Sequence, residues 1–165
     1  MPDRSLLAGY DSRICDGTKC GKEIFVSMAS IGGSRFLGKT WFVRSDACSS
    51  MAIGVESVIT KDDCRILTMG ASSFGSVRFG WREVKAAGNK ANRYDAPKYA
   101  FNAGNDANNH GPLYVCRFRD ANNGDLLVGN SYFPRHDGHC CAAEYGGGVV
   151  HGDECEILTK EPCQT

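Results

Sequence analysis

Residues 37–68 read LGKTWFVRSDACSSMAIGVESVITKDDCRILT, and residues 128–159 read VGNSYFPRHDGHCCAAEYGGGVVHGDECEILT. At a constant offset of 91 residues, eleven positions of the two stretches are identical. Composition alone would give about two matches in such a window. The identical pairs are Gly38/Gly129, Phe42/Phe133, Arg44/Arg135, Asp46/Asp137, Ala52/Ala143, Val58/Val149, Asp62/Asp153, Cys64/Cys155, Ile66/Ile157, Leu67/Leu158 and Thr68/Thr159. The sequence therefore predicts an internal repeat.

The match continues upstream of these stretches. The tetrapeptide Ala8-Gly-Tyr-Asp11 corresponds to Ala103-Gly-Asn-Asp106, and Ile24-Phe-Val26 corresponds to Leu113-Tyr-Val115. The offset drifts between these anchors because the loops of the two copies differ in length.

We therefore predict a first repeat over 1–68, a linker with one strand over 69–96, and a second repeat with a C-terminal tail over 97–165. One copy is too short to close a good core alone, so we expect the two copies to pack on each other about a pseudo-two-fold axis.

Each copy is rich in short β-type runs that end at Gly- or Asn-rich turns. We predict an all-β fold, in which two tandem pseudo-symmetric repeats pack as antiparallel, sandwich-like sheets. The predicted strands are 24–29, 38–44, 64–68, 76–81, 113–118, 129–135 and 155–159. The run 82–91 is the only helical candidate, and Gly88 weakens it.

The bulk composition restricts the function. Basic and acidic residues balance at 19 each, whereas nucleic-acid binders usually carry a basic excess, so a nucleic-acid partner is disfavoured. No run of eighteen apolar residues is present, so no membrane insertion is expected. The N-terminus lacks the apolar core of a signal peptide. We therefore expect a cytoplasmic or non-classically secreted protein.

The period of two along the predicted strands 38–44 and 129–135 divides their side chains between two faces. Phe42, Phe133, Thr40 and Ser131 share the face expected to point into the core. The opposite, noncore face then carries Lys39 and Trp41 in the first copy, and Asn130 and Tyr132 in the second. A cationic head beside an aromatic ring is typical of a binding surface, although a solvated Lys beside a Trp that covers the partner repeat fits the same pattern.

The repeat resembles the DM-nine repeat family. The second copy shows the family's succession of motifs as Ala103-Gly-Asn-Asp106, Pro112-Leu-Tyr-Val-Cys-Arg117, Val128-Gly129, Tyr145-Gly-Gly147 and Cys155-Glu-Ile-Leu158. The first copy shows it as Ala8-Gly-Tyr-Asp11, Ile24-Phe-Val26, Gly38-Lys39 and Cys64-Arg-Ile-Leu67.

Mollusc members of this family resemble mannose-binding lectins that work as dimers of two-repeat chains. The resemblance implies a non-enzymatic lectin for mannose-containing glycans, a homodimer with a role in innate immune recognition of microbial glycans, and no cofactor. The alternative is an intracellular protein-interaction or stress-response module that uses the same surface for a protein partner.

The resemblance also implies which residues hold the sugar, namely Asp11 and Lys39. A carboxylate accepts hydrogen bonds from two adjacent sugar hydroxyls, and an ammonium donates to their oxygens. Trp41 or Tyr10 is expected to lie against the apolar face of the ring. The second copy keeps Asp106 but has Asn130 in place of the lysine, so it predicts a weaker second site. Without the resemblance, the two aspartates would suit turn-capping roles.

The sequence disfavours three kinds of chemistry: nucleotide binding, metal binding and catalysis. Residues 33–40, GSRFLGKT, fit the P-loop pattern, but a strand-like run follows where a helix is required. His136, His139, Cys140, Cys141 and Cys155 are metal-ligand types without a standard spacing, so we predict no metal site. No Gly-x-Ser-x-Gly elbow is present and no nucleophile motif stands out, so we predict no catalytic residue and no enzyme.

The nine cysteines also allow structural bridges. The candidate pairs are Cys15 with Cys20, Cys48 with Cys64, and either Cys140 or Cys141 with Cys155. Cys116 and Cys163 also remain, so at least one thiol is free. Alternatively, all nine are reduced core residues.

Overall fold

The computed structural model describes residues 7–16, 19–40, 49–53, 57–61, 65–68, 77–85, 94–107, 111–122, 124–134, 139–145 and 148–162. These residues form thirteen strands, all paired antiparallel, and contain no helix. The predicted all-β class is therefore confirmed. Within the same ranges, no helix has the length and hydropathy that crossing a bilayer requires.

The strands fall into two groups along the chain. The first group consists of β1 (Leu7–Asp16), β2 (Lys19–Ile31), β3 (Ser34–Thr40), β4 (Ser49–Ile53), β5 (Ser57–Lys61) and β6 (Arg65–Ile66). A separate strand, β7 (Val77–Val84), follows. The second group consists of β8 (Asn102–Asp106), β9 (Gly111–Arg119), β10 (Leu126–Ser131), β11 (Cys141–Tyr145), β12 (Gly148–Gly152) and β13 (Cys155–Pro162).

Each group pairs its first five strands in chain order. In the first group the order is β1-β2-β3-β4-β5, and β6 pairs with β2. In the second group the order is β8-β9-β10-β11-β12, and β13 pairs with β9. The groups are joined where Arg35 of β3 lies opposite Asn105 of β8. β7 pairs along the whole of β13, from Val77 opposite Pro162 to Val84 opposite Cys155.

The helical prediction for 82–91 is wrong at 82–84, which belong to β7. Phe79 and Trp81 point to one apolar cluster and Val84 to another. This alternation, together with continuous pairing to β13, favours a strand over a helix. Residues 86–91 lie outside the described residues.

The described residues form two apolar core clusters. The central cluster combines side chains from both strand groups: Ala8, Ile24, Val26, Ala29, Phe36, Leu37, Leu113, Val115, Leu126, Val128 and Leu158. The disulfide cluster lies in the second group and β7, and also includes Tyr94: Val84, Tyr94, Cys116, Phe118, Leu127, Cys140, Cys141, Ala143, Cys155 and Ile157. β9 contributes alternate residues to both clusters, which explains its nearly continuous apolar sequence.

Gly129 permits a close approach between β10 and β11. A Cβ atom at this position would lie 1.9 Å from the carbonyl oxygen of Ala142. Because that oxygen belongs to the backbone, the neighbour cannot move aside as a flexible side chain would. The repeated glycine of the sequence is thus a packing requirement in the second group.

Two disulfides connect the start of β11 to β9 and β13, strands with which β11 does not pair. Cys141 is bonded to Cys116 of β9, and Cys140 is bonded to Cys155 of β13. One of the pairings left open by the sequence is therefore present, whereas Cys116, which was expected to be left over, is bonded. Cys48, Cys64 and Cys163 lie outside the described residues, and the backbones of Cys15 and Cys20 lie opposite each other across β1 and β2.

On the side of the β7–β13 pair that faces the disulfide cluster, Glu161 accepts a bidentate pair of hydrogen bonds from Arg82, at 2.8 and 2.9 Å. Thr159 donates to the same carboxylate at 3.0 Å, and Arg78 donates at 3.3 Å. The hydrogen bond from Arg82 is the largest of the effects that lower the pKa of Glu161 below its ordinary value.

We predict that replacing Cys116 and Cys141 together by alanine lowers the free energy of unfolding by about 3 kcal/mol, because the bridge restricts the unfolded chain. Denaturant unfolding followed by circular dichroism measures this change. Asn122→Ala, in an exposed turn, is the control, and an unchanged midpoint in the double variant would contradict the prediction.

The Glu161 cluster predicts a specific pH dependence. A carboxyl whose pKa is lower in the folded state stabilises the fold above its unfolded pKa, and this contribution is lost as the pH falls through the folded pKa. Glu161→Gln should therefore destabilise the protein at pH 7 and flatten the loss of stability below about pH 4.5.

Thermal unfolding at pH 7, 5, 4 and 3 measures this effect. Glu83→Gln is the control, because Glu83 and its ion-pair partner Lys85 are both exposed and such pairs contribute little. A parallel loss of stability with pH in wild type and Glu161→Gln would refute the assignment.

Candidate functional site

Asp11 and Tyr10 lie on β1, at the edge of the first group. In the pairing of β1 with β2, Tyr10 is opposite Glu23 and Asp11 is opposite Lys22. Their side chains lie outside the described part of the structure. Trp41 lies outside the described residues altogether.

Lys39 lies on β3, opposite Val26 of β2 and Ser50 of β4. It is 7% exposed, and its neighbour Thr40 is 3% exposed. In the second group, Asn130 and Ser131 of β10 are likewise buried. The expectation of a noncore face bearing Lys39 and Asn130 is therefore wrong, because both faces of β3 and β10 are covered at these positions.

The register does not bring the backbones of Asp11 and Lys39 together. Phe25 of β2 pairs with Leu7 on one edge and with Thr40 on the other, so β1 and β3 flank β2. Asp11 and Lys39 are attached to β2 four residues apart, at Lys22 and Val26. In a flat sheet their Cα atoms would be about 16 Å apart.

The matching residues of the second group occupy the same register. Asp106 lies opposite Gly111 of β9, and Asn130 lies opposite Val115, again four residues along the strand. Asp106 is 3% exposed. The structure therefore separates the aspartate and the Lys or Asn position equally in both groups.

The Asn130 side chain binds the backbone of the other strand group. Its Oδ1 accepts a hydrogen bond from the Leu37 N–H at 2.8 Å, and its Nδ2 donates to the Leu37 carbonyl at 2.9 Å. The amide thus completes the backbone hydrogen bonding of β3 at a buried position where β4 does not pair. This contact occupies the group proposed from the sequence as a weaker sugar ligand.

The residues considered for metal or nucleophile chemistry have other partners. Cys140, Cys141 and Cys155 are in disulfides and offer no thiolate. His139 binds Asp153 at 3.0 Å and stacks on His151, with ring centroids 4.6 Å apart. His136 lies outside the described residues. Residues of the P-loop-like stretch form β3, an extended strand instead of a phosphate-cradling loop.

Arg117 forms a charged cluster that was not predicted from the sequence. Its guanidinium lies 4.1 Å from the ring centroid of Trp81 and donates to the Glu156 carboxylate, at 3.1 Å from Nε. It also donates through Nη1 to the carbonyl of Ala8 on β1. Arg117 therefore links β7, β9 and β13 to the first strand group.

The cluster continues as a row of charges across three strands. Glu156 lies opposite Arg117 on β9 and opposite Glu83 on β7. Arg119 follows Arg117 on the same face of β9, and Glu154 precedes Glu156. These five residues line an open cavity of about 450 Å³. The face of β7, β9 and β13 that contributes to the central cluster therefore carries charged side chains at this cavity.

One sequence signal for this cluster was present. Leu113, Val115 and Arg117 share the parity that points to the central cluster, so Arg117 is a charge at a core position of an apolar run. A charge there requires a partner. The partners themselves, Trp81 and Ala8, are too distant along the chain to be deduced from spacing.

No protein-family model matches the chain, and a search of curated proteins finds no match.

We predict that Asn130→Ala lowers the free energy of unfolding by about 2 kcal/mol or more, because the N–H and carbonyl of Leu37 lose buried partners. Urea unfolding measures the change. Asn105→Ala, at another contact between the groups, where the pairing is through the backbone, should cost less than about 1 kcal/mol. Equal effects of the two substitutions would show that the amide contact is unimportant.

Proposed function

We propose that this protein is a non-enzymatic lectin of the DM-nine type that recognises mannose-type sugars, with Asp11 and Lys39 as the principal sugar ligands. The observation that carries the proposal is the register, which places the aspartate and the Lys or Asn at equivalent positions of two similarly paired strand groups.

We infer that the two strand groups are tandem repeats packed on each other in a sandwich-like manner. Three strand pairs support this inference by their registers. Asp11 opposite Lys22 corresponds to Asp106 opposite Gly111, Val26 opposite Lys39 to Val115 opposite Asn130, and Ser27 opposite Ile66 to Cys116 opposite Ile157. The register shift before Gly9 recurs before Gly104. The central cluster, shared by both groups, supports the packing.

The backbone separation of Asp11 and Lys39 favours one mode of sugar binding. The Asp11 side chain is short, and the Lys39 side chain carries its ammonium group on four methylenes. We expect the carboxylate and the ammonium group to approach one pyranose ring from opposite ends. To bind two adjacent hydroxyls, the carboxylate and the ammonium group would both have to lie within hydrogen-bond distance of neighbouring sugar oxygens. We therefore assign to Asp11 one end of the ring and to Lys39 the other.

The second repeat is proposed to bind weakly or not at all. The Asn130 amide already binds the Leu37 backbone, so a sugar would have to displace two buried hydrogen bonds, and an amide donates without the charge of an ammonium. A site that holds a single sugar unit gives low affinity. Homodimerisation would supply avidity for glycan-bearing microbial surfaces, consistent with a role in innate immunity.

Calorimetric titration with mannose tests the proposal. Asp11→Ala and Lys39→Ala should each weaken binding at least about tenfold, because each removes a charge-assisted hydrogen bond. Asp106→Ala is the matched control and should change affinity less than about twofold. Galactose should give no heat, and circular dichroism checks that each variant is folded.

The other outcomes are equally informative. Binding that survives both substitutions would keep the lectin and discard these two ligands. An Asp106→Ala effect equal to that of Asp11→Ala would refute the difference between the repeats. No heat with mannose would overturn the lectin proposal in favour of a protein-interaction module.

A further inference from the structure

The charged cavity beside Arg117 has the properties of a ligand site. Its volume, about 450 Å³, lies within the ~300–1,000 Å³ typical of small-molecule sites. Four of the five charged residues of its lining lie on the paired strands β7, β9 and β13, and Glu154 immediately precedes β13. Binding groups on strands keep their geometry better than groups on loops.

The charges of the lining select the class of ligand. The lining contains three carboxylates, Glu83, Glu154 and Glu156, and the guanidinium groups of Arg117 and Arg119. An anion would face the carboxylates, and a cation would face the two arginines. A neutral polyhydroxylated ligand avoids both penalties, because each hydroxyl donates to a carboxylate and accepts from a guanidinium.

Arg117 is held ready for such a ligand. Three of its five N–H donors bind Glu156 and Ala8 within the described residues, and the guanidinium stacks on Trp81. These contacts fix its plane, so little side-chain entropy is lost on binding. Arg119, at the rim, is anchored by the carbonyl of Gly124 at 3.1 Å.

β1 connects this cavity to the proposed sugar ligand Asp11. Its Ala8 carbonyl is the acceptor for Arg117, and Asp11 lies three residues further along the strand. Three residues of a strand span about 10 Å, so the two places are separated by more than one sugar ring. One ligand reaches both only if it is a chain of several sugar units.

We propose that the cavity lined by Glu83, Arg117, Arg119, Glu154 and Glu156 is a second saccharide subsite, and that the protein recognises an oligosaccharide instead of a single terminal sugar. This inference rests on the proposed lectin function and names its ligand class. Arg117 and Glu156 form the fixed inner wall, and Arg119 and Glu154 form the exposed rim.

Calorimetry with mannose and with a linear mannotetraose tests the proposal. Wild type should bind the tetraose at least about tenfold more tightly than mannose, because the second subsite adds contacts without a second association cost. The double variant Arg119→Ala, Glu154→Ala should reduce this ratio to about two and leave mannose affinity within about twofold of wild type. Both side chains are exposed, so the variant should fold normally.

Arg65→Ala is the matched control, because Arg65 is an exposed arginine on β6, away from this cavity. It should preserve the preference for the tetraose. A wild type without that preference, or a preference that the double variant retains, would overturn the second subsite and leave the lectin proposal intact. Absence of binding by both sugars would overturn the lectin proposal and the subsite with it. Tetraose binding that depends on Arg119 and Glu154 but not on Asp11 would support the cavity and reject Asp11.

Discussion

The side-chain amide of Asn130 hydrogen-bonds to Leu37 in the way that the backbone of a neighbouring strand would. It accepts from the N–H of Leu37 and donates to the carbonyl of the same residue. The two strand groups meet at this point over apolar side chains, and a buried backbone amide needs a partner because water is excluded. The directional contact complements the nondirectional burial of Leu37 and Val128 in the central cluster. The position of β3 against β10 is thereby set by hydrogen bonds, and the placement of Lys39, two residues beyond Leu37, follows from it.

Along one face of β9, the side chains change from apolar to charged where the first strand group stops covering the strand. Leu113 and Val115 are covered by the first strand group, whereas Arg117 lies where that cover ends at Ala8. Trp81 covers the guanidinium on one side and Glu156 neutralises it. The edge of the core is therefore stabilised by a cation that is only partly withdrawn from water, which avoids the full cost of burying an unpaired charge.

The sequence predicted the all-β class correctly, because the alternation of apolar and polar residues and the presence of turn residues are local signals. The strands around 24–29, 113–118 and 155–159 were found for this reason, whereas β1, β8 and the strands β4, β5, β11 and β12 were not specifically predicted.

Burial of Lys39 and Asn130 was missed because period-two patterns assign faces but do not reveal that both faces of a strand are covered. The Cys116–Cys141 bridge and the Arg117 cluster depend on contacts between distant segments, which no local pattern encodes. The roles of Asp11, Lys39, Tyr10 and Trp41 remain predictions.

The contacts between the strand groups also affect how the chain folds as it is synthesised. The backbone of Leu37 is hydrogen-bonded by Asn130, which is synthesised 93 residues later. The carbonyl of Ala8 is hydrogen-bonded by Arg117, which is synthesised 109 residues later. Until those residues leave the ribosome, the apolar face of the first group has no cover. Proteins dominated by such distant contacts fold slowly, and an uncovered apolar sheet is prone to association with other chains. We therefore expect the nascent first group to be prone to association until the second group is synthesised, and a chain that ends between the groups to expose the same apolar face.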